Sequence, residues 1–179
     1  MELTEPVTEG DHSQGKKDAA VNLVEYGDFE CPNCLEAYPI LKKLQKIEGS
    51  KMKFIFRNFP LSQIHPHALH AAYAAESAAK QGKFWEIHDL IFENQQNLED
   101  QNLLFYAKKL NLDIGQFRKD MGSAETRKKV EDDFMSGVRS GVNGTPTIFI
   151  NGTRLNKPCE LEFLQKAIAV SYKGGDINE

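Results

Sequence analysis

The sequence predicts an α/β fold: strand–helix–strand, then a block of helices, then strand–strand–helix. Three observations carry this. Two short, apolar, β-rich runs, 21–26 and 52–59, flank a stretch with helical spacing. Residues 65–142 are rich in Ala and Leu, and helical periods recur through them. Beyond Gly144 two short apolar runs flank Asn151-Gly152, a strong hairpin signal.

Each element follows in order. Residues 1–19 are polar, contain Pro6, Gly10 and Gly15, and read as a flexible or loosely docked arm. Val21-Asn22-Leu23-Val24-Glu25-Tyr26 reads as a buried strand, and Gly27-Asp28-Phe29-Glu30 as a turn. From Cys31 a helix begins, with Leu35, Tyr38, Leu41 and Leu44 at helical spacing, and Gly49-Ser50 ends it. Pro39 lies inside that helix and predicts a kink. The run 52–59 is a second strand, stopped by Pro60. Strand–helix–strand implies parallel pairing and a right-handed crossover. Helices are expected near 66–81, 83–94, 100–111, 113–121 and 124–141, punctuated by Gly82, Asn97, Gly115 and Gly122. The acidic Glu99-Asp100 suits a helix start. Phe84, Trp85, Ile87, Leu90 and Ile91 form a core-facing stripe, or in part the border of a substrate groove. Thr147–Ile150 and Thr153–Leu155 are hairpin strands, and a last helix spans about 160–171, with Leu161, Phe163, Leu164 and Ile168 expected inward. The expected division is an arm (1–19), a sheet-bearing domain (20–64 and 142–173) and an inserted helical domain (65–141).

Composition excludes some functions. Lys and Arg total 22 against 26 Asp and Glu, for a net charge of −4, so no basic field attracts nucleic acid or an anionic membrane. No apolar run approaches the ~18 residues of a membrane span, so direct membrane insertion is not expected. The first twenty residues carry Glu2, Glu5, Glu9, Asp11 and His12 and are not a secretory leader. The expected location is cytoplasmic, or extracytoplasmic if Met1 follows a removed leader.

The chemistry centres on Cys31-Pro32-Asn33-Cys34. The chain has three cysteines, and an odd count argues against a disulfide framework. A cysteine at a helix start meets unpaired N–H groups and the positive end of the macrodipole, which favour the thiolate. Cys31 is then the attacking sulfur and Cys34, a turn deeper, the resolving one. Pro32 suits the first helical turn. The competing reading is half a zinc site. Its completion would fall to Cys159 and the histidines, and the strand before the pair favours redox chemistry. His65, His67, His70 and His88 invite a metal reading, with His67 and His70 on one helix face, but a partly buried helix start accounts for them as well; no metal is expected. Glu25, mid-strand in an apolar run, is either an exposed edge acid or a buried one able to shuttle a proton to and from Cys34.

The segment 23–34 resembles the active-site segment of the DsbA-like thioredoxin family. So do Phe56-Arg57-Asn58-Phe59-Pro60-Leu61, His65-Pro66-His67-Ala68, Gln81-Gly82-Lys83-Phe84-Trp85-Glu86 and Gly141-Val142-Asn143-Gly144-Thr145-Pro146-Thr147. The likeness covers about residues 20–172. It implies a thioredoxin-like fold with a mid-chain helical insertion, and a thiol–disulfide oxidoreductase. It implies a cis Thr145–Pro146 loop facing the cysteines, where Thr145 and Pro146 bind substrate backbone as an added strand. No cofactor is implied beyond the Cys31–Cys34 redox disulfide. The implied partners are cysteine-containing proteins or peptides and an electron donor or acceptor. Similar domains also occur fused to membrane transporters. Pro32 and Asn33 tune the potential. Asn33 is neutral, so a value between about −270 mV (thioredoxin) and about −120 mV (DsbA) is expected. Cys159 departs from the family pattern, as a bystander thiol or a partner in a regulatory disulfide. The alternative function is a polypeptide-binding holdase with incidental redox activity. A glutathione-linked enzyme on this scaffold would more naturally carry Ser in place of Cys31.

Overall fold

The computed structural model describes residues 1–179. Its sheet contains β1 (His12–Gly15), β2 (Val21–Gly27), β3 (Met52–Asn58), β4 (Thr147–Ile150) and β5 (Thr153–Arg154), in the order β1-β3-β2-β4-β5. β2 is central. It runs parallel to β3, from Val21 opposite Met52 to Gly27 opposite Asn58, and antiparallel to β4, with Leu23 opposite Ile150. The helix α1 (Pro32–Glu48) makes the crossover between β2 and β3 and continues through Pro39. Asn151 and Gly152 both take positive φ, 47° and 87°, as a two-residue hairpin turn between β4 and β5 requires.

The mid-chain block forms α2 (Ala68–Ala79), α3 (Phe84–Glu93), α4 (Asp100–Lys109), α5 (Ile114–Met121) and α6 (Ala124–Arg139), and α7 (Leu161–Ser171) closes the chain. Side chains cap two of these helices: Asp113 accepts from Gln116 N, and Ser123 from Thr126 N.

Alternation along β2 divides the core. Leu23 joins Phe54, Phe56, Leu41, Leu44 and Ile87 on one face; Val24 and Tyr26 join Ile55, Phe59 and Phe149 on the other. The first cluster continues without a break into Ala75, Leu103 and Phe117 of the helical block. On the second face α6 comes close because Gly137 has no side chain; a Cβ there would stand 2.7 Å from the Phe59 ring. Glu25 shares its face with Leu23, the face that α1 and α3 cover.

The expectation of a loose arm over residues 1–19 is corrected. β1 pairs antiparallel with β3, from His12 opposite Phe56 to Gly15 opposite Lys53, and Leu3 N donates to Gly152 O at 2.7 Å. Arg57 supplies a physical reason. Its guanidinium is buried and donates to Asp11 (2.7 and 3.1 Å) and to the Glu5 and Pro6 carbonyls (both 3.0 Å). A buried cation requires such acceptors, and the polar N-terminal residues provide them. His12 adds a second anchor, stacking on Phe84 and hydrogen-bonding Glu76 of α2.

Candidate active site at the start of α1

Cys31 is the N-cap of α1, with extended backbone, and Pro32 follows in the first turn. The extended residue turns the chain from β2 into the helix, so the Cys31 sulfur lies beside the first free N–H groups. Cys31 is 5% exposed and Cys34 is fully buried, while Pro32 and Asn33 face solvent. The three cysteines are free thiols.

In the neutral thiol, Cys31 Sγ donates to Thr145 O at 3.3 Å. The Thr145 hydroxyl beside it is buried and has no hydrogen-bond partner. When Cys31 ionises, that hydroxyl becomes a donor to the sulfur. The Cys31 pKa is lowered to about 5, chiefly by the hydrogen bond from the Cys34 thiol. Thr145 and the backbone N–H groups of Cys34 and Asn33 add to this, against an opposing effect of burial. Cys34 moves the other way. Burial pushes its pKa well above 9.0, and its bond to Cys31 and the nearby Glu25 charge reinforce the rise. The Asp28 backbone N–H donates to its sulfur at 3.5 Å.

Glu25 is 3% exposed at the centre of the sheet, so the edge-acid alternative does not apply. Burial pushes its pKa up to about 8, and the Cys31 charge adds to the rise. The Thr145–Pro146 peptide bond is cis. Pro146, Thr147 and Ile148 line a cleft of about 470 Å³, together with Cys159. Burial pushes the Cys159 pKa up to about 12 and keeps that thiol protonated at neutral pH.

Two groups that position this loop escape a reading of the sequence. Asp28 is 1% exposed. It accepts from Glu30 N, Leu61 N and the His65 ring, each at 2.8 Å. Gln95, from the turn after α3, donates to both Phe29 O and Cys31 O at 2.9 Å. Asp28 carried a signal, since Asp in a turn commonly accepts from a backbone N–H two residues on. Gln95 carried none. The histidines do not converge: His65 pairs with Asp28, His70 with Asp100, His88 with Asp89 and His12 with Glu76.

Fold and site together define a thioredoxin-fold protein with an asymmetric pair of thiols at a helix start. A family model described as thioredoxin matches residues 7–169, and the chain belongs to that family. Among solved structures, oxidised BdbD from Bacillus subtilis superposes with a TM-score of 0.83 at 27% identity, over 94% of this chain and 96% of that one. A thioredoxin-like oxidoreductase from Silicibacter pomeroyi gives 0.84 at 23% identity, over 93% and 94% of the two chains. Alpha-DsbA1 from Wolbachia pipientis gives 0.81 at 22%, over 96% and 95%. The resemblance to DsbA-like proteins thus stands on the family match and on these neighbours.

The curated relatives carry a different name. Na(+)/H(+) antiporter NhaA 3 of Salinispora tropica is 39% identical over 173 residues, 96% of this chain but 26% of the relative. NhaA of Herminiimonas arsenicoxydans is 38% identical over 175 residues, 97% of this chain and 28% of the relative. The chain spans about a quarter of the length of the curated relatives it matches. They overturn the cytoplasmic expectation. The matched domain is a minor part of proteins named as ion antiporters, so a polar first twenty residues carries no information on compartment. No helix of this chain is long and apolar enough to cross a membrane.

Proposed function

We propose that the protein exchanges disulfides with cysteine-containing proteins or peptides through Cys31 and Cys34. The observation that carries this is the asymmetry of the pair: Cys31 caps the start of α1 against Thr145, where its pKa is lowered to about 5, whereas Cys34 is fully buried one turn deeper and burial holds it protonated. One sulfur is a ready nucleophile at neutral pH and the other is held in reserve. The solved neighbours support the reading, since BdbD was solved in an oxidised form and alpha-DsbA2 of Wolbachia pipientis is described as a thiol-disulfide exchange protein.

In the reducing direction the Cys31 thiolate attacks a substrate disulfide. One substrate sulfur leaves as a thiolate and a mixed disulfide forms. Cys34 then gives its proton to the Glu25 carboxylate and attacks Cys31 Sγ. The second substrate thiolate leaves, two electrons have passed to the substrate, and the pair is a disulfide. The oxidising direction is the reverse, and an electron donor or acceptor resets the pair. Substrate backbone lies along Thr145–Pro146, within reach of the Cys31 sulfur. A Cys31 pKa of about 5 falls between the ~7 of thioredoxin and the ~3.5 of DsbA. That agrees with a neutral Asn33 and with a potential between about −270 and −120 mV. Cys31→Ser should abolish reduction of insulin disulfides; a variant that still reduces them would remove Cys31 from the mechanism. No observation favours the holdase alternative.

A further inference from the structure

The strand β5 covers only part of β4. Arg154 lies opposite Phe149 and Thr153 opposite Ile150, and Leu155 N donates to Ile148 O at 2.9 Å. There the pairing ends. Asn156 N donates to Asn178 Oδ1 instead, at 2.7 Å, and Asn178 Nδ2 donates to Arg154 O at 3.0 Å. The C-terminal residues thus hold the chain after Leu155 away from β4. The gap is the cleft of about 470 Å³ beside Pro146 and Thr147. One end of it adjoins the reactive sulfur, because the carbonyl of Thr145, the residue before Pro146, is 3.3 Å from Cys31 Sγ.

The charge of this cleft is one-sided. Of the 9 residues that line it, Arg154 and Lys157 are cationic and none is acidic. Arg154 donates to Gly141 O at 3.0 Å, a neutral partner that leaves its charge uncompensated. Lys157 is exposed and enters no hydrogen bond or ion pair. Both stand in a chain whose net charge is −4. A cleft lined by one sign of charge focuses its field and gathers groups of the opposite sign.

We propose that Lys157 is a specificity-determining residue that selects substrates with an acidic side chain close to the reacting cysteine. The inference rests on the reading of Thr145–Pro146 as the place where substrate backbone lies. No strand occupies the edge of β4 before Ile148, so a segment added there runs on into the cleft. The side chains that flank its cysteine then come within reach of Lys157 and Arg154. An Asp or Glu among them gains an ion pair, whereas a Lys or Arg meets two like charges. Arg154 also ties the cleft wall to Gly141, so Lys157 is the residue to vary.

The test uses symmetric disulfides of three short peptides that differ only beside the cysteine, with Glu, Gln or Lys there. Their rates of reduction by the reduced protein at pH 7 are divided by their rates with dithiothreitol. That removes the effect of neighbouring charge on the peptide disulfide itself. The wild type should reduce the Glu peptide about threefold to fivefold faster than the Gln peptide, the range for exposed ion pairs. The Lys peptide should be slowest, against the direction set by the net charge. At about 1 M salt, where the screening length is about 3 Å, the differences should flatten. Lys157→Gln should remove most of the preference, and Lys157→Glu should reverse it. Lys109→Gln, which removes an equal charge at the exposed end of α4, should retain it. Alkylation of Cys31 by uncharged iodoacetamide should match the wild type in each variant, which reports an intact fold and sulfur. Equal rates on the three peptides, a faster Lys peptide, or a preference that survives Lys157→Gln would overturn the assignment. So would an equal loss of preference in Lys109→Gln. A wild type that reduces none of the peptides overturns the underlying reading instead, and the selection with it.

Discussion

The Thr145 hydroxyl is unpaired toward the neutral Cys31 thiol and gains a partner only when the sulfur ionises. Thr145→Val should therefore raise the Cys31 pKa and slow its alkylation by iodoacetamide at pH 6 several-fold. Wild-type Cys31 should alkylate well below pH 7, with Cys34 and Cys159 unreactive there. Linkage adds a second prediction. The Glu25 pKa rises from 4.5 unfolded to about 8 folded, so its contribution to stability is full below pH 4.5 and is lost as pH rises through about 8. The Cys31 pKa falls from 9.0 to about 5, so its contribution is full above pH 9 and is lost as pH falls through about 5. In the dithiol form the two oppose each other between pH 5 and 8. In the disulfide form only Glu25 remains. Urea titrations of the disulfide form should show stability falling from pH 5 to 8 relative to its Glu25→Gln variant. Cys31, Cys34 and Glu25 were legible as residue types in a telling order. Gln95 was not, because its part depends on which distant backbone groups the fold brings to it; Asp28 was legible only as the acceptor for Glu30 N, not in its bonds to Leu61 N and the His65 ring.

Among the elements, the strand–helix–strand unit and the mid-chain helices were readable because apolar periodicity and glycine stops mark them locally. Helices expected at 100–111 and 113–121 form as Asp100–Lys109 and Ile114–Met121. β1 was not readable. His12-Ser13-Gln14-Gly15 has no apolar pattern, and its strand conformation comes from pairing with β3. The anchor of this region is the Arg57–Asp11 pair, with side chains 4% and 6% exposed. Arg57→Ala leaves Asp11 buried without its cation and should cost about 3–5 kcal/mol in urea unfolding. Gly137 sets the approach of α6. Gly137→Val drives methyl groups into Phe59 and should cost about 1–3 kcal/mol, while Cys31 alkylation stays as in the wild type.

At the scale of the whole molecule, the helical segment is inserted in chain order but shares the core of the sheet. One apolar cluster joins Leu23 and Phe56 to Leu103 and Phe117. A single cooperative transition should appear by both far-UV circular dichroism and tryptophan fluorescence. The sequence reading separated this block by its change in periodicity, but periodicity does not reveal which faces share a core. The architecture places β2 at the centre of the sheet, with Glu25 inside it and Cys31 where the chain leaves it for α1. The most direct test of the central claim is to trap the exchange intermediate. Cys34→Ser, incubated with a peptide disulfide, should accumulate a peptide-linked mixed disulfide at Cys31, located by mass spectrometry. Absence of an adduct, or an adduct at Cys159 alone, would contradict the assignment of Cys31 as nucleophile and Cys34 as its resolver.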